Sequence, residues 1–171
     1  MRHVLAVLVD NKPGVLVRVA GLFARRGFNI ESLAVGTTVD KTISRMTIEV
    51  EADEPTLEQI IKQLYKLINV LKVSNLTNEP SVHRELAMIK VRANSANRAE
   101  IQQIFETFRA KVVDVSHQSL IAEVTGNEEK IEAIIMLLSS YGILEIVRTG
   151  KISLLRGNKT TRNGEAKEKG Q

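Results

Sequence analysis
The 171-residue chain contains no cysteine and no tryptophan. Without thiols it can form no disulfide, no thiolate zinc site and no cysteine nucleophile. Aromatic residues are only 4% of the chain, so few side chains could stack on nucleobases. No apolar run approaches the roughly 20 residues that a membrane-spanning helix needs. The N-terminal run passes into Asp10 and Asn11 too soon to hold a secretory h-region. These absences point to a cytoplasmic protein that binds neither membrane nor nucleic acid. The net charge of +4 does not reverse that reading. Residues 158–171 hold Lys159, Arg162, Lys167 and Lys169 against Glu165 and Glu168, four cations to two anions, which is half of the excess. The body carries too little positive charge for a basic binding face. Apolar residues at 43% and charged residues at 26% are ordinary for a globular protein.

What is present is a hydrophobic pattern that occurs twice. Val4–Val9 is a continuous apolar run, read as a buried strand. Asn11-Lys12-Pro13-Gly14 follows as a turn, with Pro13 suited to the first turn of a helix. Val15, Leu16, Val19, Ala20, Leu22 and Phe23 recur at helical spacing, and Gly27 is a natural stop. Phe28–Val35 reads as a second strand. Met46, Ile48 and Val50 alternate with polar residues as a third. Pro55 opens a second helix with Leu57, Ile60, Ile61, Leu64 and Ile68 on one stripe, and Val70–Leu76 closes the unit.

The second half repeats the order. Glu85–Ala93 is a strand, and Ile101, Ile104, Phe105 and Phe108 form a helical stripe. Val112–Val115 and Leu120–Val124 are strands around Ser116-His117-Gln118. Ile131, Ile134, Ile135 and Leu138 form the last helix, and Ile143–Val147 and Ile152–Leu155 are strand-like. Both halves read β-α-β-β-α-β, the ferredoxin-like split βαβ motif. The predicted fold is therefore α+β with two such domains, residues 1–78 and 79–157, linked near Thr77–Ser81 and followed by a disordered tail over 158–171. Two helices cover one face of a four-stranded sheet, so the other face and the edges call for a partner.

No catalytic constellation emerges. His3, His83 and His117 stand apart, at no metal-ligand spacing, and read as solvated residues. There is no Gly-x-Ser-x-Gly elbow and no phosphate-binding glycine loop. Glu49 and Glu51 share a strand face and read as solvated carboxylates rather than an acid–base pair. The turn from Asp10 to Gly14 is the one place suited to a ligand. It leads into a helix N-terminus, whose open N–H groups and positive dipole end favour a carboxylate. Gly14 permits close backbone approach and, with Val15, would offer N–H donors. The Asn11 amide could meet both charged ends of an amino acid, or it could simply cap the helix.

Asp10-Asn11-Lys12-Pro13-Gly14-Val15-Leu16 resembles the first loop of ACT domains, small amino-acid-sensing modules. Arg26-Gly27-Phe28-Asn29-Ile30-Glu31-Ser32-Leu33 and Ser44-Arg45-Met46-Thr47-Ile48 resemble the acetolactate synthase small-subunit family specifically. Phe108-Arg109-Ala110-Lys111-Val112-Val113-Asp114-Val115, Tyr141-Gly142-Ile143 and Arg148-Thr149-Gly150 extend the likeness, which runs from about Arg2 to Gly157. The resemblance implies that the first domain is an ACT domain and that the ligand lies between two ACT units paired edge to edge. Asn11, Gly14 and Val15 would hold it from one subunit, and Asn29 and Ile30 from the other. It implies a non-catalytic regulatory subunit, at least a dimer. Such a subunit activates a large catalytic subunit and makes it sensitive to feedback by a branched-chain amino acid, with valine first. Thiamine diphosphate, Mg²⁺ and FAD would belong to that partner and none to this chain. Ser95-Ala96-Asn97-Arg98 lacks the loop glycine, so no equivalent site is expected in the second half. Two other classes stay open: a stand-alone ACT sensor acting on another enzyme or a transcription factor, and an enzyme hidden in the second half.

Overall fold
In the computed structural model, which describes residues 1–161, the chain folds as β1 (Arg2–Asp10), α1 (Val15–Arg25), β2 (Ser32–Thr37), β3 (Ile43–Glu51), α2 (Glu54–Leu64) and β4 (Val70–Asn75), then β5 (Ser81–Arg92), α3 (Arg98–Thr107), β6 (Lys111–Val115), β7 (Ser119–Gly126), α4 (Glu128–Ser139), β8 (Ile143–Arg148) and β9 (Ile152–Leu155). The sheets run β2-β3-β1-β4 and β6-β7-β5-β8. The same order twice, with antiparallel neighbours throughout, is the duplicated split βαβ read from the pattern. The fold is α+β.

Contacts divide the described residues into two units, residues 1–82 with 151–161, and residues 83–150. In the first unit, Leu5, Val7 and Val9 on one face of β1 pack with Val15, Val19, Leu22 and Phe23 of α1 and Leu57, Ile60 and Leu64 of α2. The opposite face of β1 is apolar too: Val4 and Ala6 are buried with Leu76, and Leu155 of β9 lies against them. α2 begins where Asp53 accepts a hydrogen bond from Thr56 N–H at 2.9 Å, with Pro55 in its first turn. In the second unit, Ala87, Ile89 and Val91 of β5 pack with Ile101 and Phe105 of α3 and Ile131, Ile134 and Leu138 of α4. There Arg148 bridges buried Glu85 and, at 2.6 Å, Glu132, tying β8 to β5 and α4.

Several expectations change. By their contacts residues 151–157 group with the first unit, although in sequence they follow the second. The physical reason is the apolar outer face of β1, where Leu155 packs beside Val4, Ala6 and Leu76. β9 pairs with β5, a strand that begins in the first unit at Ser81, and Arg156 N–H donates to the Pro80 carbonyl at 2.8 Å. The tail reading over 158–171 falls outside the described residues from 162 onward. Its first part is placed: Lys159 Nζ lies 2.9 Å from Glu79, and Thr161 is buried. β2 begins at Ser32, so Phe28–Glu31 is loop rather than strand.

Stopping the chain after Gly150 should lower the stability of the first unit by about 3–5 kcal/mol, because it uncovers Val4 and Ala6 and orphans a buried carboxylate at Glu49. Stopping after Gly157 should cost less, about 1–2 kcal/mol, since it removes an exposed ion pair, which contributes little, and one small buried side chain, Thr161. Urea unfolding of the two truncations checks both.

Candidate functional site
The loop after β1 is built by short-range bonding. Asn11 N–H donates to the Thr42 carbonyl at 2.7 Å, and Asn11 Nδ2 donates to the Lys41 carbonyl at 2.9 Å. Both acceptors lie in the turn between β2 and β3, so that turn fixes the loop. On its other side Asp10 N–H donates to the Asn69 carbonyl at 2.9 Å, and Asn69 Nδ2 returns a bond to Asp10 Oδ2 at 3.0 Å. Arg18 Nη1 of α1 then donates to Asn69 Oδ1 at 2.6 Å. Buried Asn69 thus links the end of β1 to the first turn of α1. Asp40-Lys41 is legible in the sequence as a turn, but its contact with Asn11 and the role of Asn69 are not, because both arise from contacts distant in the chain.

The helix N-cap is Gly14, at φ +83°, with no side-chain capping bond and no acidic residue in the first turn. Capping by Asn11 is therefore excluded: the helix starts later, and the Asn11 amide is committed to the β2–β3 turn. Pro13 likewise precedes the helix instead of lying in its first turn. The left-handed backbone at Gly14 disfavours any residue with a Cβ, although a Cβ there would meet only open space. First-turn N–H groups have no intrahelical acceptor; that of Val15 reaches the Lys12 carbonyl only at 3.4 Å. An exposed, positively polarised helix end beside a fixed amide can take a carboxylate and an ammonium.

Asn29 and Ile30 sit in the loop between α1 and β2. Gly27, at φ +69°, ends the helix as its N–H donates to Ala24 and the Phe28 N–H to Phe23. Asn29 is exposed and its Nδ2 donates to Glu31 Oε1 at 2.6 Å, while Ile30 is half-buried on the core. Register shows that the chain does not bring these residues to the Asn11 loop. Asp10 lies opposite Ile43 at the start of β3, whereas Ser32 lies opposite Glu49 near its end. At about 3.3 Å per residue the two loops are separated by roughly 20 Å along the sheet. β2 is an edge strand.

Two solvated assignments are corrected. His3 is fully buried, its Nε2 3.1 Å from the Ala52 carbonyl and its Nδ1 3.4 Å from Thr77 Oγ1. Glu49 is 6% exposed and pairs with Lys151 at 2.6 Å, while Glu51 is exposed. β1 and β3 are covered on both faces, and alternation of polar residues cannot reveal cover supplied by a distant segment. In the second unit the corresponding loop spends its polar groups on itself: Asn94 Oδ1 accepts from Ala96 and Asn97, and Arg98 donates to the carbonyls of Ser116 and His117. Among the described residues no group of three or more His, Asp or Glu could hold a metal ion, and no helix is long and apolar enough to cross a membrane.

Duplicated split βαβ units, the first with a glycine turn ahead of its helix, make this a two-domain α+β protein of ferredoxin-like architecture. Residues 5–72 match the model of the AHAS small subunit-like ACT domain, and residues 84–157 match that of the small subunit of acetolactate synthase. A relative from Archaeoglobus fulgidus is 59% identical over 93% of this chain and 99% of its own length. The acetolactate synthase small subunit of Mycobacterium leprae is 56% identical over 91% of this chain and 92% of its own. The crystal structure of the acetolactate synthase small subunit from Thermotoga maritima superposes with a TM-score of 0.85 at 46% identity, covering 93% of this chain and 99% of that one. The chain belongs to the acetolactate synthase small-subunit family.

The Asp10 carboxyl is held below its ordinary value of 3.8, first by the Asn69 hydrogen bond and then by Lys12, with burial opposing. A lowered folded value means that Asp10 stabilises the fold above pH 3.8, and that this contribution is lost as pH falls through the lowered value. Asn69→Ala should raise the Asp10 pKa towards the ordinary value, and carboxyl NMR titration of wild type and variant reads this directly.

Proposed function
We propose that this chain is the non-catalytic regulatory partner of a large acetolactate synthase subunit, raising its activity and conferring feedback inhibition by a branched-chain amino acid, valine first. The effector lies between two copies of the first unit. Asn11, Gly14 and Val15 of one copy hold the charged ends, and Asn29 and Ile30 of the other close over the apolar side chain. Thiamine diphosphate, Mg²⁺ and FAD act on the catalytic partner, in the cytoplasm.

The observation that carries this reading is the placement of the two loops at opposite ends of one sheet beside an exposed edge strand. If β2 pairs antiparallel with β2 of a second copy, the start of each strand meets the end of the other. The Asn29–Ile30 loop of one copy then approaches the end of β3 from which the Asn11 loop of its neighbour projects. One chain alone holds two half-sites; a two-fold pair holds two whole ones. The Asn11 Nδ2–Lys41 bond leaves Oδ1 as the acceptor for the ammonium. Regulation follows when the amino acid binds one arrangement of the complex better than another, since only differential affinity shifts an equilibrium.

Asn11→Ala and Asn29→Ala should each weaken inhibition about ten- to a hundredfold, the loss of a hydrogen bond to a charged group. Activation of the large subunit should remain largely intact. Acetolactate formation by the reconstituted complex across valine, leucine and isoleucine measures this. Sedimentation of the isolated chain should give at least a dimer; a monomer that binds valine tightly would refute the shared site.

A further inference from the structure
Three bonds converge at the start of β2. Lys151 Nζ donates to Glu49 Oε1 at 2.6 Å, and the Lys151 backbone N–H donates to Ser32 Oγ at 2.9 Å. Glu31 N–H donates to the Glu49 carbonyl at 2.9 Å, and Glu49 is the register partner of Ser32. Both charges are withdrawn from water, the side chains being 14% and 7% exposed. The loop carrying Asn29 and Ile30 ends on this junction, with Asn29 bonded to Glu31. The segment that brings Lys151 is fastened further along: Arg45 Nη2 donates to the Ser153 carbonyl, and Leu155 packs with Val4, Ala6 and Leu76.

An apolar pair would cover this face at less desolvation cost than two buried charges. What the charged pair adds is direction: an ammonium must sit on its carboxylate, which sets the register of the returning segment and places its N–H on Ser32. We infer that Lys151 is a positioning residue for the effector site, holding the Asn29–Ile30 loop through Glu49 and Ser32 in the conformation that receives a neighbour's amino acid. This rests on the effector reading above. It also makes Lys151–Leu155 the segment that occupancy of the loop acts upon.

The test uses the full chain with L-valine as probe, the variants Ser32→Ala, Lys151→Met and Lys151→Arg, and three readouts: calorimetric Kd, amide exchange and melting temperature. Ser32→Ala keeps the ion pair and so keeps the proposal testable should Lys151→Met fail to fold. Ser32→Ala and Lys151→Met should each weaken valine binding about five- to tenfold, the scale of one lost hydrogen bond. Exchange over residues 28–33 should quicken selectively, with the 10–15 loop unchanged, and Lys151→Arg should restore much of both. Unchanged exchange over 28–33 in folded variants would overturn the inference. So would a uniform rise across the whole sheet, which is what a merely structural ion pair gives. If wild type binds none of valine, leucine and isoleucine, the effector reading falls, while the exchange comparison still decides whether Lys151 pins the loop.

Discussion

Two helices can cover only one face of a four-stranded sheet, and in the first unit the central strand is apolar on both. Val4 and Ala6 look away from α1 and α2, yet they too are buried. That second face has to be closed by something outside the β-α-β-β-α-β unit. Part of the closure comes from the chain itself, when Leu155 returns from far along the sequence to join Val4, Ala6 and Leu76. Once cover arrives, any polar residue on that face needs a partner that comes with it. Glu49 has one in Lys151, and Arg45, whose pKa is lowered by burial, has one in the Ser153 carbonyl. The returning segment therefore satisfies as well as covers.

The same topology fixes where the β1–α1 and α1–β2 loops lie. A βαββαβ sheet places the β1–α1 loop at one end of β3 and the α1–β2 loop at the other, because β1 and β2 both run antiparallel to β3. No adjustment of side chains shortens a strand of that length. A site drawing on both loops has to borrow one from another chain, and the edge position of β2 makes the borrowing geometrically simple. The second unit has the same topology, but its loop side chains close on their own backbone. The two units share a topology but differ at this loop: the first has Gly14 ahead of a helix without a side-chain cap.

Much of this was legible in the sequence. The continuous run Val4–Val9, the stripes Val15–Phe23 and Leu57–Leu64, and their repetition in the second half record the 3.6- and 2-residue periods of elements packed on one core. The loop residues Asn11 and Gly14 were readable because a glycine turn ahead of an apolar stripe is a local signal. Less local facts were not. The start of β2 was placed early because Phe28 and Ile30 are apolar, though they pack on the core from a loop. Glu49 looked solvated because alternation shows which residues share a face but not whether that face is covered. Lys151 is an ordinary lysine after a glycine, and its partner lies 102 positions earlier. Such pairings exist only once the sheet is formed.

Chain connectivity gives the buried pair a consequence beyond local packing. The second unit spans 83–150, so the chain leaves the first unit at Val82 and re-enters it at Lys151. The re-entry residue is the one bonded to Glu49 and Ser32, at the root of the loop that carries Asn29 and Ile30. A ligand can shift an equilibrium only through contacts that differ between its states. Within the first unit, a displacement of that loop meets the Lys151 contact at its root before anything else. Had the chain re-entered on β4, at the opposite edge of the sheet, the same loop movement would have had β3 and β1 to cross, two strands whose registers are locked by continuous pairing. A packed sheet interior yields little to small displacements. The position of Lys151 avoids that path, and a short, directional, dehydrated contact is the kind of joint that either holds or releases rather than deforming by degrees.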